Sequence, residues 1–157
     1  MRILKTLLMI LFAISIVPLS CKLEGALTPE EAFDLFTNAY YKSDADKVLN
    51  LLSEESKEKI NEIIKMISSM RDDQKKSLSE KFGINIEIMN KLTIKDYISL
   101  QLTIGKASGN DVIMEINKHK IIGIDQNGTR AVVRVENGME LNFVKEGPYW
   151  KLDMKEL

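Results

Sequence analysis

Cys21 is the single cysteine of this 157-residue chain, and the residues before it predict a covalent modification of its sulfur. Arg2 and Lys5 stand near the start, and an apolar run extends from Leu7 to Leu19. Ser20, a small residue, directly precedes the cysteine. A basic start, a short apolar middle and a small residue before the cut are the parts of a secretory signal. The apolar run has 13 residues, short of the ~20 that span a bilayer core.

The stretch Pro18-Leu19-Ser20-Cys21 resembles the bacterial lipobox, whose usual form is Leu, a small residue, Gly or Ala, then Cys. Pro18 stands where Leu is usual, and Leu19 is displaced by one position. The resemblance implies cleavage before Cys21, which would then carry a diacylglycerol thioether and an N-terminal acyl chain. A lone cysteine cannot form an internal disulfide in an exported chain, which favours this interpretation. The alternatives are an uncleaved N-terminal anchor, for which the apolar run is short, and a plain cleaved signal, which Pro18 at position −3 fits poorly.

The chain is therefore predicted to have three parts. Residues 1–20 form a lipoprotein signal peptide, residues 21–27 a short tether, and residues 28–157 a single domain. Two or three acyl chains on one cysteine anchor a protein firmly without a transmembrane helix, whereas one chain anchors it weakly. We expect a bacterial envelope protein, held to a membrane through lipid on Cys21 and facing the periplasm or the cell exterior.

His119 is the single histidine and has two interpretations. In a pocket it would serve as an acid or base near neutral pH. In the sequence it stands between Lys118 and Lys120 in a polar part of a predicted strand, which is typical of an exposed histidine. We favour the exposed position, because one histidine without a partner to orient it is weak evidence for catalysis. Zinc usually takes Cys or His ligands, and only His119 remains once Cys21 is acylated, so we expect no metal site. We expect no cofactor either.

The segment from Asp125 to Glu136 has some features of a calcium loop, since Asp125, Asn127 and Glu136 fall at loop positions 1, 3 and 12. Arg130 occupies position 6, where the sharp turn of such a loop needs glycine. The alternating residues that follow and the Asn-Gly pair at 127–128 favour a β-hairpin instead.

Composition excludes a nucleic-acid binder from the expected functions. The leader holds two of the 22 basic residues and none of the 23 acidic ones, so the remaining 137 residues carry 20 basic and 23 acidic residues, a formal net charge of −3. Nucleic-acid binding would need a clustered basic face. Two lysine pairs, Lys57 with Lys59 and Lys75 with Lys76, are predicted to lie on solvated helix faces beside glutamates.

Helical signals dominate the first two thirds of the domain. Thr28 is a predicted N-cap, with Pro29 at the first helical position and Glu31 completing a capping box, and this helix ends near Lys42. Its apolar face is predicted to contain Ala32, Phe33, Leu35, Phe36, Ala39 and Tyr40. Further helices are expected after Ser43–Asp44, after Ser53, after a polar break at 71–74, within 84–92 and after Thr93, with Gly83 as a helix stop.

Strand signals follow a predicted loop at 105–111. Apolar residues alternate from Val112, and the run continues to Ile124. Turn signals at 125–128, Asn137-Gly138 and Gly147-Pro148 separate three further strands, the last of which contains Trp150. The order predicts an α+β domain, with N-terminal helices packed on one face of a curved antiparallel sheet of about four strands.

This arrangement resembles the nuclear-transport-factor-2-like fold, a cone of sheet backed by helices, and more narrowly the small bacterial lipoproteins of unknown function that share it. The resemblance covers roughly residues 28–155. It is carried by TPEEAFDLFTNAYYKSDADKVLNLLS, by the helical middle and by the ending LNFVKEGPYWKLDM. It implies a pocket between helices and sheet, which members use for isomerisation, dehydration, ligand binding or dimer contact. The fold alone does not select among these uses.

Asp34, Tyr40, Tyr41 and Tyr97 are the polar groups that could face such a pocket. An isomerase-like member would need a buried carboxylate base and a tyrosine donor. Asp34 is expected to point to solvent, which weakens that alternative. We therefore predict a non-enzymatic domain that binds a protein partner, a second copy of itself or a small apolar ligand, with a small isomerase- or dehydratase-type enzyme as the alternative.

Overall fold

Six helices precede a four-stranded sheet in the computed structural model, which describes residues 25–108, 115 and 120–154. This order confirms the predicted α+β class. The predicted leader, Cys21 and His119 lie outside the described residues. The helices are α1 (Pro29–Tyr41), α2 (Ala45–Leu51), α3 (Glu54–Ser69), α4 (Asp72–Phe82), α5 (Ile86–Asn90) and α6 (Ile94–Ser108), and the strands are β1 (Ile121–Asn127), β2 (Arg130–Val135), β3 (Glu140–Glu146) and β4 (Tyr149–Leu152).

Side-chain caps begin α1, α2, α3 and α6 where the sequence predicted them. The Thr28 Oγ1 accepts a hydrogen bond from the Glu31 amide at 3.1 Å, and the Glu31 carboxylate accepts one from the Leu27 amide at 2.7 Å. Asp44 caps α2 and Ser53 caps α3 in the same way. Gly83 ends α4 with φ 67°, a conformation that glycine adopts without strain. Among the described residues, no helix is both long and apolar enough to cross a bilayer.

Three local predictions were wrong. The break at 71–74 is shorter, because α4 already begins at Asp72 and its first-turn carboxylates are favourable at a helix N-terminus. The loop expected from Gly105 is helical as far as Ser108, since a helix tolerates a single glycine at a cost of about 1 kcal/mol. Glu115 is helical, although the strand was predicted to run from Val112, because short apolar runs suit either element.

The described strands form an antiparallel meander in the order β1-β2-β3-β4. Asn127 pairs with Arg130, so the segment at 125–136 is a hairpin and the calcium-loop alternative is wrong. The predicted turns at 137–138 and 147–148 are also confirmed. Gly128 and Gly138 take φ values of 60° and 83°, which explains the glycines in these turns.

One face of the sheet is buried against the helices. Helix α1 crosses β2, β3 and β4 and covers them with Phe33, Phe36 and Ala39. Leu35, predicted to join this face, is 42% exposed, because it lies past the edge of the stripe that contacts the sheet. The inward sheet residues, all at most 3% exposed, are Ala131, Val133, Val135, Leu141, Phe143, Trp150 and Leu152.

Two other chain segments cover the outer edge of β4. The Ala26 carbonyl accepts a hydrogen bond from the Trp150 amide at 2.8 Å, and the Leu152 carbonyl accepts one from the Ser53 amide at 2.9 Å. The Ser56 hydroxyl strengthens the second junction, because it accepts a hydrogen bond from the Met154 amide at 2.8 Å and donates to the Leu152 carbonyl at 3.2 Å. These bonds satisfy backbone groups that an open strand edge would expose.

Candidate functional site

A cavity of about 200 Å³ lies between the helices and the end of β4. Residues of α1, α2, α3, α6 and β4 each form part of its wall. Most of the wall is apolar, because it is formed by the apolar faces of the helices that also pack on the sheet. These faces do not fill the space between them. The apolar wall residues on the helices and their connection are Phe36, Val48, Leu52, Ile60, Ile98 and Leu102.

Helix α6 supplies the polar end of the cavity. Tyr97 and Gln101 are four residues apart, so they lie on one face of the helix, and their side chains form a hydrogen bond. Tyr40 on α1 also lines the cavity, with its ring centroid 5.9 Å from that of Phe36. On β4 and just beyond it, Leu152 and Met154 close the sheet side.

Burial raises the pKa of the Tyr97 phenol, and the hydrogen bond from Gln101 partly opposes this shift. The phenol is therefore protonated at neutral pH, and its hydroxyl can donate to a ligand oxygen. Among the described residues that line the cavity there is no carboxylate, lysine or histidine. The Tyr97 hydroxyl at this end can thus orient a bound molecule by hydrogen bonding.

The structure separates the residues that the sequence grouped as possible pocket groups. Tyr40 and Tyr97 line the cavity. Asp34 is exposed, as expected, and Tyr41 is 55% exposed outside the cavity. Gln101 was not singled out from the sequence, although its spacing of four residues from Tyr97 on one helix is a signal that could have found it.

The chain matches no known protein family, no curated protein and no solved structure. In the described part of the chain, no three His, Cys, Asp or Glu side chains are placed to hold a metal ion together.

A second depression, of about 360 Å³, lies between α4, α5 and α6. We call it the α4–α6 groove. Phe82 and Ile88 beside it are 42% and 51% exposed, and Leu92 and Leu100 form part of its floor. This groove is wide and open, so it suits contact with another surface better than enclosure of a small molecule.

The prediction that Lys75 lies on a solvated helix face is wrong. Lys75 is only 6% exposed, and its ammonium donates hydrogen bonds to the Ser68 carbonyl and to the Asn90 Oδ1, both at 2.8 Å. The Ser68 carbonyl belongs to the last turn of α3, where carbonyls lack helical partners. Lys75 therefore joins the end of α3 to α4 and α5. The other pair agrees better with expectation, since Lys57 bonds to Glu54 at 2.6 Å.

Lys75→Met should lower the free energy of unfolding by about 1–3 kcal/mol, because it removes two part-buried hydrogen bonds that a charged donor makes to the Ser68 carbonyl and the Asn90 Oδ1. Methionine keeps much of the aliphatic stem, so the change is mainly the loss of the ammonium. Lys76→Met, at the exposed neighbouring position, is the matched control and should stay within about 0.5 kcal/mol of the parent. Urea denaturation measures both, and equal midpoints for the two variants would show that the two Lys75 hydrogen bonds contribute nothing to stability.

Proposed function

We propose that this chain is a membrane-anchored envelope lipoprotein whose folded domain binds a small apolar ligand without chemically changing it. The cavity between the helices and β4 is the observation that supports ligand binding. A cavity of 150 Å³ lined by Leu, Ile and Phe is large enough for benzene, so about 200 Å³ suits a one- or two-ring compound or a short aliphatic chain. Tyr97 and Gln101 favour a ligand with one oxygen at its end.

The proposal includes a nuclear-transport-factor-2-like cone as the finer description of the fold. Its support is the position of the cavity, which lies between helices and one face of an antiparallel meander, near the end of the last strand. The four described strands do not close on themselves, so the helices must provide the remaining walls. This is the arrangement that the sequence resemblance implies.

The anchor part of the proposal is supported by the leader and by the start of the folded chain. The leader ends directly before Cys21, the predicted acylation site. Ala26 is fully buried and bonded to β4, so only residues 22–24 and Gly25 stand between the acylated cysteine and the fold. We accordingly propose that the domain is held close to a membrane of the cell envelope.

Ligand binding has better support than the two other functions expected from the sequence. An isomerase or dehydratase would need a carboxylate base beside the Tyr97 hydroxyl, and Asp34 is exposed outside the cavity. A protein partner or a second copy would use a broad surface such as the α4–α6 groove. The mostly apolar cavity between the helices and β4 instead matches a small molecule.

Leu102→Phe should abolish binding of 1-naphthol, used as a fluorescent probe of the cavity. Leu102 is 2% exposed on the cavity wall, and the larger ring would occupy the space available to the ligand. A fluorescence titration of the parent should saturate at one probe per chain, and the variant should show no saturable binding.

Leu92→Phe is the matched control. Leu92 is 9% exposed in the same hydrophobic core but does not line the cavity, so this variant bears a comparable overpacking cost of about 1–3 kcal/mol. It should bind the probe like the parent at temperatures where both variants are folded. Loss of binding in both variants, or in neither, would contradict assignment of the ligand to this cavity.

A further inference from the structure

The first described residues, Gly25 and Ala26, lie on the outer edge of β4. Any side chain on Gly25 would collide with the Tyr149 ring, so the backbone runs directly against that ring. The next residue, Ala26, is fully buried, and its carbonyl accepts the hydrogen bond from the Trp150 amide at 2.8 Å. Gly25 and Ala26 are therefore held in a fixed position beside the final strand.

This attachment limits how far the domain can stand from a lipid on Cys21. The four residues from Cys21 to Gly25 span at most about 14 Å even when fully extended. A domain of about 130 residues has a radius of gyration of about 14 Å, which corresponds to a diameter of about 36 Å. The surface around Gly25 must then lie within about 14 Å of the bilayer, and the opposite side of the domain cannot reach it.

We call the surface around the attachment point the tether-side face and define it by Leu27, Glu54, Glu146, Pro148, Tyr149 and Lys151. Its parts are fixed together, because the Glu54 amide at the start of α3 donates to the Glu146 carboxylate at 2.9 Å. Leu27 is 51% exposed, although it follows a fully buried residue. The Lys151 ammonium lies 5.9 Å from the centre of the Tyr149 ring.

The tether-side face carries charges of both signs, so its charges do not favour binding to an anionic membrane surface. Lys151 lies near Glu146 and Glu54, and the neighbouring Lys57 bonds to Glu54. The exposed Leu27 and the half-buried Tyr149 instead suit the boundary between headgroups and acyl chains, where an apolar body and a polar tip are both accommodated. The face can therefore lie at this boundary without a net charge of its own, while the short link keeps it there.

We propose that the short link to an acylated Cys21 holds the tether-side face against the bilayer surface. The inference rests on the proposed acylation and adds an orientation to it. It also places the ligand cavity, because Leu152 on the cavity wall is two residues, or about 7 Å, along β4 from Trp150. The sheet side of the cavity then lies close to the membrane.

Two labelled forms of the full mature acylated protein test this orientation in vesicles of phosphatidylethanolamine and phosphatidylglycerol. One carries bimane on Pro148→Cys, in the exposed turn of the tether-side face. The other carries it on Met66→Cys, which is 56% exposed and twelve residues, or about 18 Å, along α3 from Glu54. Lipids with nitroxide headgroups should quench the label at 148 and leave the emission of the label at 66 unchanged.

A third protein separates the short link from any affinity of the face for lipid. Insertion of twenty Gly and Ser residues between Lys22 and Leu23 adds a root-mean-square reach of about 25 Å. Quenching at 148 should then be lost, which would support the proposal.

Equal quenching at 148 and 66 would overturn the orientation, and undiminished quenching at 148 after the insertion would show that the short link does not hold the face at the bilayer. Both outcomes leave the acylation intact. Mass spectrometry of the same preparations reports the state of Cys21. An unmodified cysteine would overturn the acylation and this inference together.

Discussion

Cys21→Ala should shift the protein from the membrane fraction to the soluble fraction, or leave its precursor unprocessed. The variant lacks the sulfur that would receive the diacylglycerol thioether, and each acyl CH₂ contributes about 0.8 kcal/mol to membrane binding. Loss of the two or three acyl chains therefore removes the whole membrane anchor. Cell fractionation measures the shift, and mass spectrometry of the N-terminal peptide identifies the modification.

Ser20→Ala is the matched control for this prediction. It keeps a small residue directly before the cut, so export, processing and membrane attachment should all persist. The anchor prediction fails if the mature parent protein carries an unmodified Cys21, or if Cys21→Ala remains in the membrane fraction as a processed protein.

Phe143→Ala should lower the free energy of unfolding by about 3–5 kcal/mol, the usual cost of truncating a buried phenylalanine. Phe143 is 1% exposed on β3 and pairs with Ala131 on one side and Leu152 on the other. Domains of this size are stable by about 5–15 kcal/mol in all, so the variant should lose a large fraction of its stability. Urea denaturation with a folded parent as reference measures the change.

Phe82→Ala makes the same truncation at a position that is 42% exposed. It should cost much less, because a smaller part of the ring leaves water on folding. If the two variants unfolded at the same denaturant concentration, Phe143 would not lie at the centre of the core, and the packing of α1 on the sheet would need to be revised.

Helix starts and tight turns could be predicted from the sequence because they depend on residues three or four positions apart. Thr28 and Glu31 form their capping pair within one turn, and Thr93 and Asp96 form another, with bonds of 3.0 and 3.2 Å. Gly138 turns the chain at a positive φ that other residues adopt with strain. These interactions are local, so the sequence pattern contains them.

Contacts between distant segments could not be predicted in the same way. Lys75 is buried because α5 supplies Asn90 and α3 supplies a carbonyl, and neither partner is near it in the sequence. The tether residue Ala26 is buried because β4 offers an open edge more than a hundred residues later.

The candidate site was predictable in part. Tyr40 and Tyr97 were expected among the polar groups facing a pocket, and the structure places both on the cavity wall. The volume of the cavity and the contribution of Gln101 depend on how closely α1, α2, α3 and α6 approach one another. Periodicity identifies the face of each helix that is buried, but it does not give the distances between helices.

Methyl NMR of the isoleucine and leucine side chains, titrated with 1-naphthol, tests most directly the claim that this domain is a binder of small apolar molecules. Saturable shifts are expected at Ile60, Ile98, Leu102 and Leu152, which line the cavity, and the probe itself should be unchanged after incubation. Shifts confined to Ile88 and Leu92 beside the α4–α6 groove, or no saturable shifts at all, would contradict it.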